Sequence, residues 1–226
     1  MAKFKLAIFD LDNTLYREPP TLSRACEVAM ARAVADVVPG MTYDIALPMA
    51  IESNAQCGSV AAPFFERFQL NHKDLHERYH SYVDHLVLPK CENTRNAFAK
   101  IDRNKIQLGI LTHGSQGWAE RVLDHLGLTE FFDPDLIIPF EEPGYYYKHD
   151  SEIPFRHLMA KAARKTGGDI NTGEIFMADD LERNLTVPHA MGLTTVLILH
   201  GRARTGLPHL QHECEDVSEV LQKLIA

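Results

Sequence analysis

Phe4-Lys5-Leu6-Ala7-Ile8-Phe9-Asp10-Leu11-Asp12-Asn13-Thr14-Leu15-Tyr16 is the stretch on which the reading of this chain turns. Leu6 to Phe9 is an apolar run, long enough for a buried strand and too short for a helix. Asp10 stops it, and a second acid follows two residues later. In extended chain, side chains two apart point the same way, so Asp10 and Asp12 are expected to address one point in space. Two unneutralised carboxylates that close repel, and one takes a proton unless a cation sits between them. A capping Asp followed by a solvated Asp in a turn is the plainer alternative. Their position at the mouth of a buried strand, where open α/β sheets bind ligands, favours a site.

The same kind of ending recurs downstream. Residues 106–111 read as a strand that stops at Thr112-His113-Gly114, and residues 174–178 as one that stops at Asp179-Asp180. Residues 136–139 and 193–199 are further strand-length apolar runs. Helical patterns lie between and after them, at 93–101, 116–126 with Gly127 as its stop, 153–165, 184–191 and 217–225. Strands alternating with helices predict an α/β fold, a doubly wound and mostly parallel sheet of Rossmann type covered on both faces. One block breaks the alternation. After Pro19-Pro20, helical patterns run at 22–38, 44–52, 61–68 and 74–86 with no strand signal. The expected organisation is an α/β core of residues 1–16 and 89–226, with an α-helical cap domain, residues 17–88, inserted after the first strand.

The bulk numbers restrict the function. A chain of 226 residues can bury one core and a smaller satellite. Its formal charge of −8 repels polyanions, which argues against long nucleic acid as a partner but not against one small anion in a pocket. Cys26, Cys57, Cys91 and Cys214 show no CxxC spacing, so free thiols in a reducing compartment are expected rather than a disulfide framework. No signal peptide precedes the first strand and no apolar run reaches membrane-spanning length. Together these predict a cytoplasmic protein, complete from its first strand, with no membrane partner.

Several polar residues stand at strand ends. Thr112, His113 and Gly114 offer a hydroxyl and backbone N–H groups at a helix start, an anion site by geometry and dipole, or else an ordinary N-cap. Asp179 and Asp180 are adjacent acids after a buried strand, which suits a hard cation with oxygen ligands. A helix N-terminus enriched in acids explains one of them better than both. Lys148 precedes a helix start, with Lys161 and Lys165 as weaker candidates on the helix itself. His209, His212 and Cys214 lack a fourth ligand and zinc-site spacing and read as a solvated segment. His72, His76, His80 and His85 read as the exposed face of the helical block, the alternative being that one or two of them look into the crevice.

These residues resemble the motifs of the haloacid dehalogenase-like (HAD) hydrolase superfamily. Asp10, Asp12 and Thr14 match its Asp-x-Asp-x-Thr motif. Thr112 matches the second motif, with His113 where Asn is frequent. Lys148 falls in the third-motif context, with His149 in place of a common Pro. Asp179-Asp180 matches the paired-acid fourth motif, with Asn184 where a second Asp is more usual. Residues 119–133 and 180–196 look most like the pyrimidine 5′-nucleotidase branch, and Gly58-Ser59-Val60 and Tyr82-Val83-Asp84-His85 echo it more faintly. The resemblance implies hydrolysis of a small phosphate monoester through an aspartyl-phosphate. Asp10 is then the nucleophile, Asp12 the general acid and base, and Thr112, His113, Gly114 and Lys148 the phosphate-binding groups. Mg²⁺ is implied as cofactor, held by Asp10, the Asp12 carbonyl, and Asp179 with or without Asp180. The implied substrate is a nucleoside 5′-monophosphate, with Asn54, Gln56 and Ser59 as candidate polar contacts and Phe64 or Phe65 as a stacking face. A sugar-phosphate or phosphoglycolate phosphatase, a phosphomutase, a haloacid dehalogenase and a non-catalytic binding protein are the rival readings.

Overall fold

The computed structural model describes residues 3–57, 60–68 and 70–225, without the side chains of residues 57, 62 and 66. It divides into two compact units, residues 1–17 with 89–226, and residues 18–88. The first unit is built on a six-stranded parallel sheet. Its strands are β1 (Leu6–Phe9), β2 (Gln107–Leu111), β3 (Ile137–Ile138), β4 (Ile175–Asp179), β5 (Thr194–Ile198) and β6 (His212–Cys214). Their spatial order is β3-β2-β1-β4-β5-β6. β1 therefore lies between β2 and β4, with Ile8 opposite Gly109 on one side and Met177 on the other. The order reverses at β1, so the chain leaves β1 and β4 at the switch point where such sheets open a crevice.

β1 shows why four apolar residues suffice. Leu6, Ala7, Ile8 and Phe9 are fully buried, because helices cover both faces of the sheet. Alternation divides them between two cores. Leu6 and Ile8 pack with Met177, Phe155, Leu158 and Leu197. Phe9 turns the other way and meets Phe98 and Phe176 edge to face, at centroid distances of 5.3 and 5.6 Å. The helices of this unit are α5 (Glu92–Phe98), α6 (Gln116–Leu126), α7 (Ile153–Thr166), α8 (Thr186–Ala190) and α9 (Val217–Leu224). α6 begins on Ser115, whose hydroxyl accepts the Trp118 N–H. It ends on Gly127 at φ 68°, a left-handed stop that glycine takes without strain.

The second unit is all helix, with α1 (Pro20–Val37), α2 (Tyr43–Cys57), α3 (Ala62–Phe68) and α4 (His72–Ser81). Pro20 opens α1 at a position where its missing N–H costs nothing. α2 continues past Glu52, the expected end, to Cys57. Within this unit Asn54 donates to Ser23 and Glu27, Gln56 donates to Glu52, and Phe64 and Phe65 are buried, Phe65 stacked on His72 at 4.0 Å. These candidates for a base or ribose contact thus have partners inside the helical unit. Gly58 and Ser59 lie outside the described residues.

Two sequence expectations are corrected here. His76 and His80 are buried, not exposed. They sit one turn apart on α4, their rings 4.5 Å from each other, on the side that also buries Leu75 and Tyr79. The segment with His212 and Cys214 is not a solvated loop. It forms β6, paired in parallel with β5 from Val196↔His212 to Ile198↔Cys214, and Cys214 is fully buried. Smaller differences lie at element ends. The strand expected at 136–139 is two residues, preceded by a 3-10 turn, and the helix expected at 184–191 is a 3-10 turn, Glu182–Leu185, followed by α8. Cys26, Cys91 and Cys214 are free thiols. Among the described residues, no helix is long and apolar enough to cross a membrane.

Candidate active site

Three strand ends assemble the site. Asp10 follows β1 and is held in line by its N–H, which donates to the Ala178 carbonyl at 2.9 Å. Asp179 is the last residue of β4, and Thr112 follows β2. Lys148 arrives from the loop before α7 and is withdrawn from solvent, 1% exposed. Its ammonium donates to Asp10 Oδ1 at 2.5 Å, to Asp179 Oδ2 at 2.7 Å and to the Leu111 carbonyl at 3.3 Å. A buried ammonium needs such a complete set of acceptors, since its desolvation otherwise exceeds any gain.

Asp179 is fixed from its other side. Its Oδ1 accepts from the Leu181 N–H at 2.9 Å and from the Asn184 side chain at 3.0 Å. Asn184 thus takes a definite part as a buried donor that orients Asp179. Asp180 has its own partner, its Oδ2 accepting from Asn13 Nδ2 at 2.7 Å. Asn13 itself stands at φ 54°, and its carbonyl is 3.0 Å from His200 Nε2. Arg202 donates to the Asp180 carbonyl at 2.6 Å. Asn13, His200 and Arg202 escape the sequence reading because each acts through a backbone group or a lone amide, with no charge pattern to mark it.

Oxygens of Asp10, Asp179 and Asp180 lie within 4.8 Å of one another, and all three residues are buried. Burial pushes Asp10 up to about 7, with the Asp179 and Asp12 charges adding to the rise and Lys148 opposing it. Burial likewise raises Asp180 well above the ordinary carboxylate range, reinforced by Asp179 and Asp10 and opposed by Asn13. Burial works against the Lys148 charge too, but Asp10 and Asp179 outweigh it and the ammonium is held on. Lys148 pairs with two of the three carboxylates, and Asp180 has only the more distant charge of Arg202 to oppose its neighbours. The all-oxygen donor set and the excess negative charge fit a hard divalent ion such as Mg²⁺.

Asp12 does not join this cluster, contrary to the expectation that both acids of the first stretch address one point. Regular strand ends at Phe9, and the chain turns after Asp10, with the Thr14 and Leu15 N–H groups donating back to the Leu11 carbonyl. The two-residue rule for side-chain direction holds only in extended chain. The Asp12 carboxylate is instead held by Tyr16 and Trp118, through Oδ1, at 2.6 and 2.9 Å. Burial raises Asp12, while the Tyr16 and Trp118 hydrogen bonds and Lys148 oppose the rise.

The loop after β2 is partly committed to its own structure. The Gly114 N–H donates to Thr112 Oγ1 at 2.9 Å, and the Gln116 N–H donates to Glu141 Oε1 at 2.8 Å. His113 Nε2 accepts the Lys148 N–H at 3.1 Å, so it anchors the backbone of the lysine. Lys161 pairs with Glu142, and Lys165 with Asp133 and Asp135 at 2.6 and 2.9 Å, which places both outside the cluster.

The family model for haloacid dehalogenase-like hydrolases matches residues 4–192. No curated protein matches the sequence. Among solved structures, a HAD phosphatase from Thermococcus onnurineus is 22% identical with a TM-score of 0.66, over 98% of both chains. The YfnB protein of Bacillus subtilis, described as a HAD-hydrolase and bound to magnesium, is 14% identical with a TM-score of 0.65, over 99% of this chain and 100% of that one. An L-2-haloacid dehalogenase is 16% identical with a TM-score of 0.58, over the full length of both chains. At these identities the likeness shows a common fold, which phosphatases and dehalogenases share.

Proposed function

We propose that this chain, which belongs to the haloacid dehalogenase-like hydrolase family, hydrolyses small phosphate monoesters through a phosphorylated Asp10. The observation that carries this is the pairing of two differently held acids. Asp10 is bound to the Lys148 ammonium beside Asp179, and Asp12 is held separately by Tyr16 and Trp118. A carbon–halogen bond needs a nucleophile only. A phosphate ester also needs a proton for its leaving oxygen and cationic charge for its dianion.

The chemistry follows from those placements. Asp10 attacks phosphorus in line, forming an acyl phosphate as the ester oxygen departs. Asp12 gives that oxygen its proton, then takes one from the water that cleaves the intermediate. Thr112 and Lys148 hold the non-bridging oxygens as charge shifts during transfer, and the Lys148 position is kept by His113. Mg²⁺ held by the carboxylates of Asp10, Asp179 and Asp180 and the Asp12 carbonyl would offset the repulsion between the anionic nucleophile and the phosphate. The magnesium-bound Bacillus subtilis neighbour and the Thermococcus phosphatase support this reading by fold.

For the substrate we take a nucleoside 5′-monophosphate, pyrimidine before purine, supported by the resemblance of residues 119–133 and 180–196 to the pyrimidine 5′-nucleotidase branch. The test compares kcat/KM for UMP, CMP, AMP, phosphoglycolate and a hexose phosphate with Mg²⁺ present, beside halide release from L-2-chloropropionate. A nucleoside monophosphate should lead. A non-nucleotide ester ahead by tenfold, about 1.4 kcal/mol of transition-state preference, removes the nucleotidase. Halide release without phosphate release removes the phosphatase.

A further inference from the structure

Tyr16 and Trp118 hold the same atom of Asp12. The Tyr16 hydroxyl donates to Oδ1 at 2.6 Å and the Trp118 indole N–H donates to that same oxygen at 2.9 Å, from a position 106 residues away in sequence. Both rings are 2% exposed, so the clamp is built into the core. The two donors differ in kind. A phenol can rotate its hydrogen away, but an indole N–H only donates. With Oδ1 committed to an obligate donor, a protonated Asp12 carries its hydrogen on Oδ2.

The position of Oδ2 is visible through Gly114. A β-carbon placed on Gly114 would lie 3.6 Å from Asp12 Oδ2, 3.2 Å from Thr112 Oγ1 and 2.8 Å from the Trp118 ring. Oδ2 therefore faces the loop after β2, where Thr112 stands. The last distance also explains the glycine, since a side chain there would push Trp118 off Asp12.

Resting on the phosphatase reading above, we propose that Tyr16 and Trp118 are positioning residues that fix the Asp12 carboxyl so that Oδ2 alone carries the transferred proton, which fits the enzyme to esters with poor, alkoxide-type leaving groups. In the first step the Asp10 O–P bond forms, the P–O bond to the leaving group breaks, and the Oδ2 proton passes to the departing oxygen. In the second, the water O–P bond forms, the Asp10 O–P bond breaks, and the water proton returns to Oδ2. A leaving group that is a weak base departs without the first of these proton transfers and does not need the clamp for that step.

The experiment compares Tyr16→Phe, Trp118→Phe and the double variant on glycerol phosphate and on p-nitrophenyl phosphate, with Mg²⁺ present. For the alkyl ester, kcat/KM should fall about tenfold for each single variant and about a hundredfold for both, a share of what general acid catalysis supplies. For the aryl ester, kcat/KM should fall far less, within about threefold. Its kcat should drop while a burst of p-nitrophenolate appears, because intermediate hydrolysis still uses Oδ2. Equal losses of kcat/KM on both esters, or no loss on the alkyl ester, overturn the proposal. Wild-type protein that releases phosphate from neither of these esters nor from UMP overturns the phosphatase reading itself, and the clamp's role with it. Tyr16→Phe keeps the ring and its packing, so it decides the question even if Trp118→Phe folds poorly.

Discussion

Lys148 donates to Asp10 across 2.5 Å, joining residues 138 positions apart in sequence, with both side chains withdrawn from solvent. The same ammonium spans to Asp179, so one cation ties the ends of the two adjoining strands β1 and β4. Breaking such a pair leaves a buried charge without its partner.

Lys148→Ala should lower kcat by about two to three powers of ten, the scale for loss of one preorganised charge partner. It should also move the acid limb of the pH profile upward. Asp10 works as the carboxylate, so activity falls as pH drops through its pKa. Burial has pushed that pKa up to about 7, and Lys148 is what opposes the rise. Measuring kcat/KM from pH 5 to 9 checks both effects. Unchanged kinetics would remove Lys148 from the reaction.

Activity should require a divalent ion. The carboxylates of Asp10, Asp179 and Asp180 crowd within 4.8 Å against one ammonium, an imbalance that a hard cation corrects. Dialysis against a chelator should abolish turnover and Mg²⁺ should restore it. Full turnover by thoroughly stripped protein would contradict the assignment.

Asp180→Asn should stabilise the metal-free protein at pH 8 and not at pH 4. Burial and the neighbouring acids raise the Asp180 pKa in the folded state, so its ionisation costs stability as pH climbs above the unfolded value. The amide keeps the shape and can still accept from Asn13. Thermal midpoints of variant and wild type at the two pH values test this, each kcal/mol appearing as roughly 2–4 °C. The same variant should need more Mg²⁺ for half-maximal activity. A lower midpoint at pH 8 without metal would contradict the electrostatic account.

Acid should loosen the helical unit through His76. Burial, then the His72 charge, lowers His76 to about 4. Its folded pKa is below the unfolded value, so its contribution is intact above about 6.5 and is lost as pH falls from there towards 4, by roughly 3 kcal/mol at most. His76→Leu should flatten the dependence of the thermal midpoint on pH across that window. A slope as steep as that of wild type would refute the role of His76.

What could be read from the sequence depended on how each feature is encoded. β1, β2, β4 and β5 declare themselves because a strand covered on both faces is mostly apolar, as Leu6 to Phe9 are without a break. Asp10, Thr112 and Asp179 follow from them, since the residue ending a buried strand is placed by the strand. β6 was hidden because His212-Glu213-Cys214 is short and carries no apolar run, its place being set by pairing with β5. Asp12 stands beyond the end of β1 in a turn, where side chains two apart no longer share a direction. Tyr16 and Trp118 stand 102 positions apart, and nothing local to either says that the two rings meet on one oxygen. His76 and His80 were more legible than their reading allowed, since a spacing of four in a helix puts them on one face with Leu75 and Tyr79.

The most direct test of the account is to find where phosphate resides during turnover. Asp12→Asn protein, with Mg²⁺ and p-nitrophenyl phosphate, should form the intermediate and hydrolyse it slowly, since a weakly basic leaving group departs without the acid while the attacking water lacks its base. Acid quenching followed by peptide mass mapping should place the phosphate on Asp10, and Asp10→Asn should leave it nowhere. Phosphate on another residue, or nitrophenolate release persisting in Asp10→Asn, would contradict the account.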